Sequence, residues 1–256
     1  MKKRKKMNKP WDIKTSDLRQ ADTVPTFIVF CEDKVSEPIY LKYFETSKIK
    51  INFAKEQNSM MTNVLAAITH CKENGLIEFI DGKDCLTAEE TQVWCVYDRD
   101  KEETTAKISK GNTDFDQSII TANSCGINVA WSNDAFELWI LLHFEDIDYK
   151  DTENTKRKNY YERLTEIFKN INNPNSDLVK ALTYNNFDYK SNLKSENNFR
   201  NIVRAEIVNK TKEAIFRAKL IENHFDNPRL QNHEKSPCTL MHHLVEELIK
   251  LGGKEI

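Results

Sequence analysis

The chain has 256 residues, of which 39% are hydrophobic and 30% are charged, and its formal net charge is -2. This composition suits one large domain, or a domain with a helical extension, and the length excludes a scaffold that depends on disulfides. No apolar run reaches the roughly 18–20 residues of a membrane span, and no apolar segment follows the basic start "MKKRKK". The sequence therefore predicts a cytoplasmic protein without membrane contact.

Two further features concern the N-terminus and the cysteines. Residues 1–24 form a basic N-terminal arm, interpreted either as a solvated segment or as a contact for nucleic acid. The six cysteines are far apart and lack a CxxC pair, so they are interpreted as reduced, mostly buried thiols.

Apolar runs and helical periodicity alternate along the first 150 residues. The predicted strands are 25–31, 50–54, the run "QVWCVYD" that ends at Asp98, and 126–132. Helices are expected after each strand, with Ser36 capping the first and Asn133 or Asp134 capping the helix "AFELWILLHFE". Residues 74–91 are predicted as a loop with an irregular or short helical piece, and 101–114 as a polar segment before a short helix.

This alternation predicts an α/β fold with a parallel four-stranded sheet flanked by helices. The α/β core is assigned to residues 25–150. From about residue 151 to 256 the periodicity is helical without clear strands, and we expect a helical C-terminal region packed on the core.

Three acids follow predicted strands. Asp98 and Asp100 lie on one side of an extended chain while Arg99 points to the other, and Glu32 comes directly after the first strand. Strand ends gather at one edge of a parallel sheet. Adjacent carboxylates repel each other unless a cation separates them, and oxygen ligands suit Mg²⁺ or Mn²⁺. The alternative is an ordinary acidic turn.

The order of these motifs resembles the Toprim catalytic domain of topoisomerases, primases and OLD-type nucleases. A finer resemblance is to the RloB family, carried by "VFCEDKVSEPIYLKYF", "VWCVYDRDK", "SNDAFELWILLHFE" and "SPCTLMHHLVEEL". These segments run from about residue 25 to 250. One departure is Asp33, because these proteins usually have a glycine after the strand-terminal glutamate; either Asp33 adopts the left-handed region or the loop differs.

The resemblance implies metal-assisted phosphodiester cleavage with Asp98 and Asp100 as metal ligands and Glu32 as a ligand or general base. Glu37 either completes the metal site or stabilises its helix electrostatically. Glu137 lies in an apolar helix, where an ionised group needs a partner, and we expect a catalytic role for it.

Lys190 in "FDYKSN" resembles a Tyr-x-Lys element of RloB relatives and is predicted to neutralise phosphoryl charge, with a surface lysine as the alternative. His143 is interpreted as a packed histidine. Arg204, Arg217 and Lys219 are interpreted as a solvated face rather than a phosphate-binding surface.

The expected function is therefore a Mg²⁺- or Mn²⁺-dependent nuclease acting on DNA or RNA in bacterial antiphage defence or abortive infection. The alternatives are a ribonuclease directed at transfer RNA and a non-catalytic Toprim-like subunit of a defence complex. The resemblance also implies an ABC- or AAA-type ATPase partner, because the chain has no GxxxxGK[ST] loop. It leaves homo-oligomerisation open.

Overall fold

The structure is a computed structural model that describes residues 24–54, 58–100 and 105–256, with side chains from residue 110 onward in the last range. Apart from residue 24, the basic arm lies outside the described residues. Within them, no helix is both long enough and apolar enough to cross a membrane.

A five-stranded sheet forms the centre of the protein, in the order β2-β1-β5-β6-β7. Its strands are β1 (Thr26–Cys31), β2 (Lys50–Phe53), β5 (Thr91–Asp98), β6 (Asn128–Asn133) and β7 (Cys238–Thr239). The first four are parallel, as predicted, and β7 is antiparallel to β6. The prediction of four strands, with none in the C-terminal half, is wrong because a two-residue strand is too short to show an alternating pattern.

A separate hairpin occupies the segment that was predicted as a loop. Its strands are β3 (Ile77–Ile80) and β4 (Lys83–Leu86), joined by Asp81 and Gly82. Both turn residues have positive φ, 51° and 83°. Asp-Gly favours a two-residue hairpin turn with positive φ at both residues, so the prediction of a loop for this segment is wrong.

Helices flank the sheet and make up most of the C-terminal half. They are α1 (Ser36–Lys42), α2 (Met60–Glu73), α3 (Thr105–Ser124), α4 (Glu137–Leu142), α5 (Arg157–Lys169), α6 (Ser176–Leu182), α7 (Tyr189–Asn192), α8 (Glu196–Asn198), α9 (Arg204–Ile207), α10 (Thr211–His224) and α11 (Met241–Gly252). Short 3₁₀ helices cover Thr152–Thr155, Val208–Lys210 and Asn232–Glu234, and a π-helix covers Phe199–Val203.

One helix prediction needs correction. Helix α3 begins at Thr105, about ten residues before the predicted start, and includes Gly111. The start was placed too late because residues 105–114 are mostly polar and lack the apolar periodicity that indicates a helix. Before α10, residues 199–210 form the π-helix, α9 and a 3₁₀ helix in succession. The hydroxyl of the fully buried Thr211 donates to Val208 O at 2.8 Å where α10 begins.

The core contains the predicted apolar runs and the cysteines. Large, fully buried side chains come from both halves of the chain, among them Tyr40, Tyr97, Trp131, Trp139 and Phe199. All six cysteines are free, and all but Cys85 are buried, which confirms their interpretation as reduced thiols. Strands β1 and β5 each pair with a strand on both sides, and they place their carboxyl ends next to each other.

Candidate active site

The ends of β1 and β5 bring two of the predicted acids into contact. The strands are parallel neighbours with Cys31 opposite Val96, and Glu32 continues β1 by donating its N–H to Val96 O at 3.0 Å. The Glu32 carboxylate turns toward β5 and accepts a hydrogen bond from the Asp98 N–H, with Oε2 at 2.9 Å from N. The predicted meeting of Glu32 and Asp98 is confirmed.

Burial and mutual repulsion raise the proton affinity of these acids. Burial raises the pKa of Glu32 to about 7; the Asp98 N–H bond opposes this shift, and the charge of Asp100 adds to it. Burial also raises the pKa of Asp98 well above its usual range, with further contributions from Glu137 and Glu32. Asp98 Oδ1 is buried and has no hydrogen-bond partner among the described residues. The centre of the site is therefore rich in carboxylate and poor in donors.

Glu37 belongs to the same cluster although it also lies in the first turn of α1. Only 1% of it is exposed, and its Oε2 accepts a hydrogen bond from Asp33 N at 3.2 Å. Burial raises its pKa, followed by the charges of Asp98, Asp33 and Glu32. The two interpretations of Glu37 are therefore compatible, since a first-turn glutamate of this short helix faces the strand ends.

Glu137 reaches the site from the start of α4 and carries its own counter-ion. It is 2% exposed, and Lys194 Nζ lies 2.7 Å from its Oε1. The expectation that this buried glutamate needs a charged partner is confirmed. Lys194 follows α7, and although burial alone would lower its pKa, the charge of Glu137 raises it overall.

Arg157 is the second cation at the site, and sequence reasoning missed it. Its guanidinium pairs with Asp100, and Nη2 lies 3.9 Å from both Asp98 Oδ2 and Asp134 Oδ1. Its Nη2 donates to Asp134 O at 2.5 Å, and its backbone N–H donates to Asp134 Oδ2 at 2.9 Å. Arg157 is the first residue of α5, in a segment with no recognisable motif. No pattern could have indicated it.

Asp33 shows why the glycine of the resembling family is not required here. It is absent from the residues with positive φ. Its carboxylate accepts hydrogen bonds from Val35 N at 3.1 Å and Ser36 N at 2.8 Å. Burial opposes ionisation, but these two backbone bonds and the charge of Lys194 lower the pKa of Asp33. Asp33 thus caps the start of α1. The prediction that Ser36 caps this helix is wrong.

The capping prediction for Asn133 and Asp134 is also wrong. Helix α4 has Phe136 at its N-cap and no side-chain cap. Asn133 accepts from Arg99 Nη1 at 2.8 Å and donates to Lys235 O at 2.7 Å, while Asp134 binds the α5 start. Arg99 also donates to Asn112, so it points away from the acids as alternation requires.

Lys190 and His143 lie at the margins of this arrangement. Lys190 is exposed, with Nζ 5.6 Å from the centre of the Tyr161 ring, the same ring that Lys194 approaches at 5.6 Å. His143 is 1% exposed, donates Nδ1–H to Trp139 O at 2.8 Å and accepts from the Tyr40 hydroxyl at 3.1 Å. Burial lowers the pKa of His143 to about 3, so it is a neutral packed histidine, as predicted.

The donor set of this acidic cluster, defined as Glu32, Glu37, Asp98, Asp100 and Glu137, fits a hard divalent cation. All its ligand atoms are oxygens, and Asp98 Oδ1 has no partner to displace. Among the described residues no three of these carboxylates bring oxygens within 4.8 Å of one another. A bound cation would therefore need the carboxylates to move inward, and Arg157 now compensates part of their charge.

The fold and the site together define an α/β protein with an acidic cluster at the carboxyl ends of neighbouring parallel strands. The model of the family described as RloB-like protein matches residues 27–248. The chain belongs to this family, as its motifs indicated. No curated protein matches the chain, and no solved structure matches it.

Proposed function

We propose that this protein is a metal-dependent nuclease that cleaves phosphodiester bonds in DNA or RNA, with a Toprim-like core and a role in bacterial antiphage defence or abortive infection. The observation that carries the proposal is the partly buried Asp98, whose buried Oδ1 atom lacks a hydrogen-bond partner beside Glu32 and Glu137. Carboxylates that repel one another in a folded protein are found chiefly at functional sites, where their charge binds a ligand or takes part in catalysis. The acid after β1 and the Asp-x-Asp after its neighbour support the Toprim-like interpretation.

The residues divide into three roles. Glu32, Glu37, Asp98 and Asp100 would hold Mg²⁺ or Mn²⁺, which when bound polarises a phosphate and activates a water molecule. Glu32 would act either as one of these ligands or as the general base, and its pKa of about 7 in the metal-free protein suits the second role.

Positive charge for the substrate phosphate comes from the helical half. Glu137 holds the Lys194 ammonium at 2.7 Å, and Arg157 pairs with the exposed Asp100. Both cations lie beside the carboxylates, where a phosphate would approach, and Arg can bind phosphate through two N–H groups. Lys190 shares the Tyr161 ring with Lys194, and its catalytic role stays a prediction.

A non-catalytic subunit is the second candidate, and the position of Arg157 favours it. A guanidinium that pairs with Asp100 and lies 3.9 Å from Asp98 already supplies part of the charge that a metal ion would supply. In this alternative the acids and Arg157 form a structural ion-pair network.

The test is cleavage of labelled single- and double-stranded DNA, RNA and transfer RNA by the purified chain with Mg²⁺, Mn²⁺ or a chelator. Asp98→Asn keeps the size of the side chain and removes its charge, and we expect it to reduce cleavage by about 100-fold or more. The control is Asp226→Asn, which changes an exposed acid far along the chain from the strand ends. This variant should cleave at the rate of the unmodified chain.

Two results decide between the candidates. Cleavage that survives both the chelator and Asp98→Asn contradicts the metal mechanism. Absence of cleavage on every substrate, together with no Mn²⁺ binding that depends on Asp98, supports the structural network instead. An ATPase partner is also proposed, and adding it should change the rate of the intact chain but not that of Asp98→Asn.

A further inference from the structure

A second group of potential metal ligands lies where α10 packs on α11. Among the residues that the structure describes, Glu222, His242 and His243 each bring one ligand atom within 4.8 Å of the other two. The Nε2 atom of His242 is 2.8 Å from Glu222 Oε2, and that of His243 is 2.9 and 3.1 Å from the two carboxylate oxygens. Both imidazoles thus direct the same nitrogen toward one carboxylate.

The spacing of these atoms is close to that of a tetrahedral zinc site. Metal–ligand bonds of roughly 2.0–2.1 Å place tetrahedral ligands about 3.4 Å apart. The present nitrogen–oxygen distances of 2.8–3.1 Å need to open by only a few tenths of an ångström. Glu222 and His243 are 35% and 47% exposed in their side chains, so both have room to make this adjustment.

The third ligand, His242, is held in place by its surroundings. It is fully buried at the start of α11, and its ring lies 4.2 Å from that of His243. Its Nδ1 has no hydrogen-bond partner, so Glu222 is the one polar contact that orients the ring among the described residues. One rigid ligand beside two adjustable ones favours metal binding, because few side chains lose conformational freedom when the metal binds.

An open groove gives this group access to solvent. His243 forms part of its wall, with Gln92, Trp94, Asn128, Glu246 and Glu247, and its volume is about 390 Å³. Gln92 donates to Glu247 Oε2 at 3.2 Å and accepts from Trp94 Nε1 at 2.9 Å, which fixes the wall contributed by β5.

The location and ligand types separate this group from the acidic cluster. Gln92 lies near the start of β5 and Asp98 at its end, and six residues of strand correspond to roughly 20 Å. Imidazole nitrogens favour zinc over magnesium, whereas the acidic cluster offers only oxygens.

We propose that Glu222, His242 and His243 form a Zn²⁺ site that joins α10 to α11 and leaves one coordination position open beside the groove. Two histidines and one glutamate are a ligand set that zinc uses with a free fourth position. Binding replaces the Nε2 hydrogen bonds to Glu222 with coordination, and the Nε2 protons move to Nδ1 or to solvent. The site is independent of the proposed nuclease function.

The test is titration of the metal-free, full-length protein with Zn²⁺ by calorimetry, in excess Mg²⁺ so that the acidic cluster does not compete. We expect one Zn²⁺ per chain and a rise of several degrees in melting temperature. Co²⁺ in place of Zn²⁺ should give the visible absorption bands of a tetrahedral site. Glu222→Gln and His243→Ala should each weaken affinity by at least tenfold.

Two control variants make the result specific. His224→Ala removes a histidine of the same helix that stacks on Tyr149, and Asp98→Asn removes the centre of the acidic cluster. Both should bind Zn²⁺ with unchanged affinity. Undetectable binding, binding that survives Glu222→Gln and His243→Ala together, or binding lost in Asp98→Asn overturns the proposal.

Discussion

The two halves of this protein contribute opposite charges to the acidic cluster. The α/β half provides its carboxylates from the ends of β1 and β5 and from the starts of α1 and α4. The helical half provides the cations, Arg157 at the start of α5 and Lys194 after α7. The charge of the carboxylates is therefore balanced by residues that are more than 50 positions away in the chain.

Loss of Lys194 should have the largest effect on stability. Lys194→Met leaves Glu137, which is 2% exposed, without its charge partner, and we expect a cost of about 3–5 kcal/mol in the free energy of unfolding. Urea denaturation measures this. Glu137→Gln in the same chain should recover most of the loss. Lys190→Met, the exposed neighbour, should change stability by less than about 0.5 kcal/mol; equal losses for both lysines would contradict the ion-pair argument.

Glu32 should make the metal-free protein less stable as the pH rises. Its folded pKa of about 7 exceeds the ordinary value of 4.5, so its contribution is fully present below pH 4.5 and is lost as the pH rises through 7. That shift corresponds to about 3 kcal/mol at most. Glu32→Gln keeps an acceptor for Asp98 N and should be more stable than the unmodified chain at pH 8 in chelator, with no difference at pH 4. A parallel pH dependence in both proteins would exclude Glu32 as the cause.

Arg157 provides a test of whether a side-chain cation and a metal ion compete for the same carboxylates. Arg157→Met should destabilise the chelated protein by about 2 kcal/mol, less than Lys194→Met, because its partner Asp100 is about half exposed whereas Glu137 is buried. Mn²⁺ should restore that loss and should bind the variant more tightly than the unmodified chain, as calorimetry and thermal denaturation can measure. If Mn²⁺ neither restores stability nor binds more tightly, Arg157 and the metal do not compete.

Asp33 should show the smallest effect. Asp33→Ala removes the acceptor for Val35 N and Ser36 N and should cost about 1 kcal/mol in chemical denaturation. Asp33→Asn retains an acceptor oxygen and should lose less. A cost well above 2 kcal/mol would show that Asp33 stabilises the cluster rather than the start of α1.

Most of the α/β half could be predicted from the sequence because its signals are local. The four parallel strands are compact apolar runs; Glu32 follows β1 directly, and Asp98 is the last residue of β5. The turn residues Asp81 and Gly82 favour a hairpin, although a loop was predicted there. The short strand β7 could not be predicted, since its two residues pair with β6 more than 100 positions earlier in the chain.

The sequence by itself determined where the acids stand, because strand ends and alternation of side chains are properties of short segments. Only the tertiary structure decided which cations face them, that Asp33 rather than Ser36 supports α1, and that Glu222 meets two adjacent histidines. These pairings depend on how helices pack across the sheet. The whole apolar core determines this packing, so the residues that it brings together share no local sequence pattern.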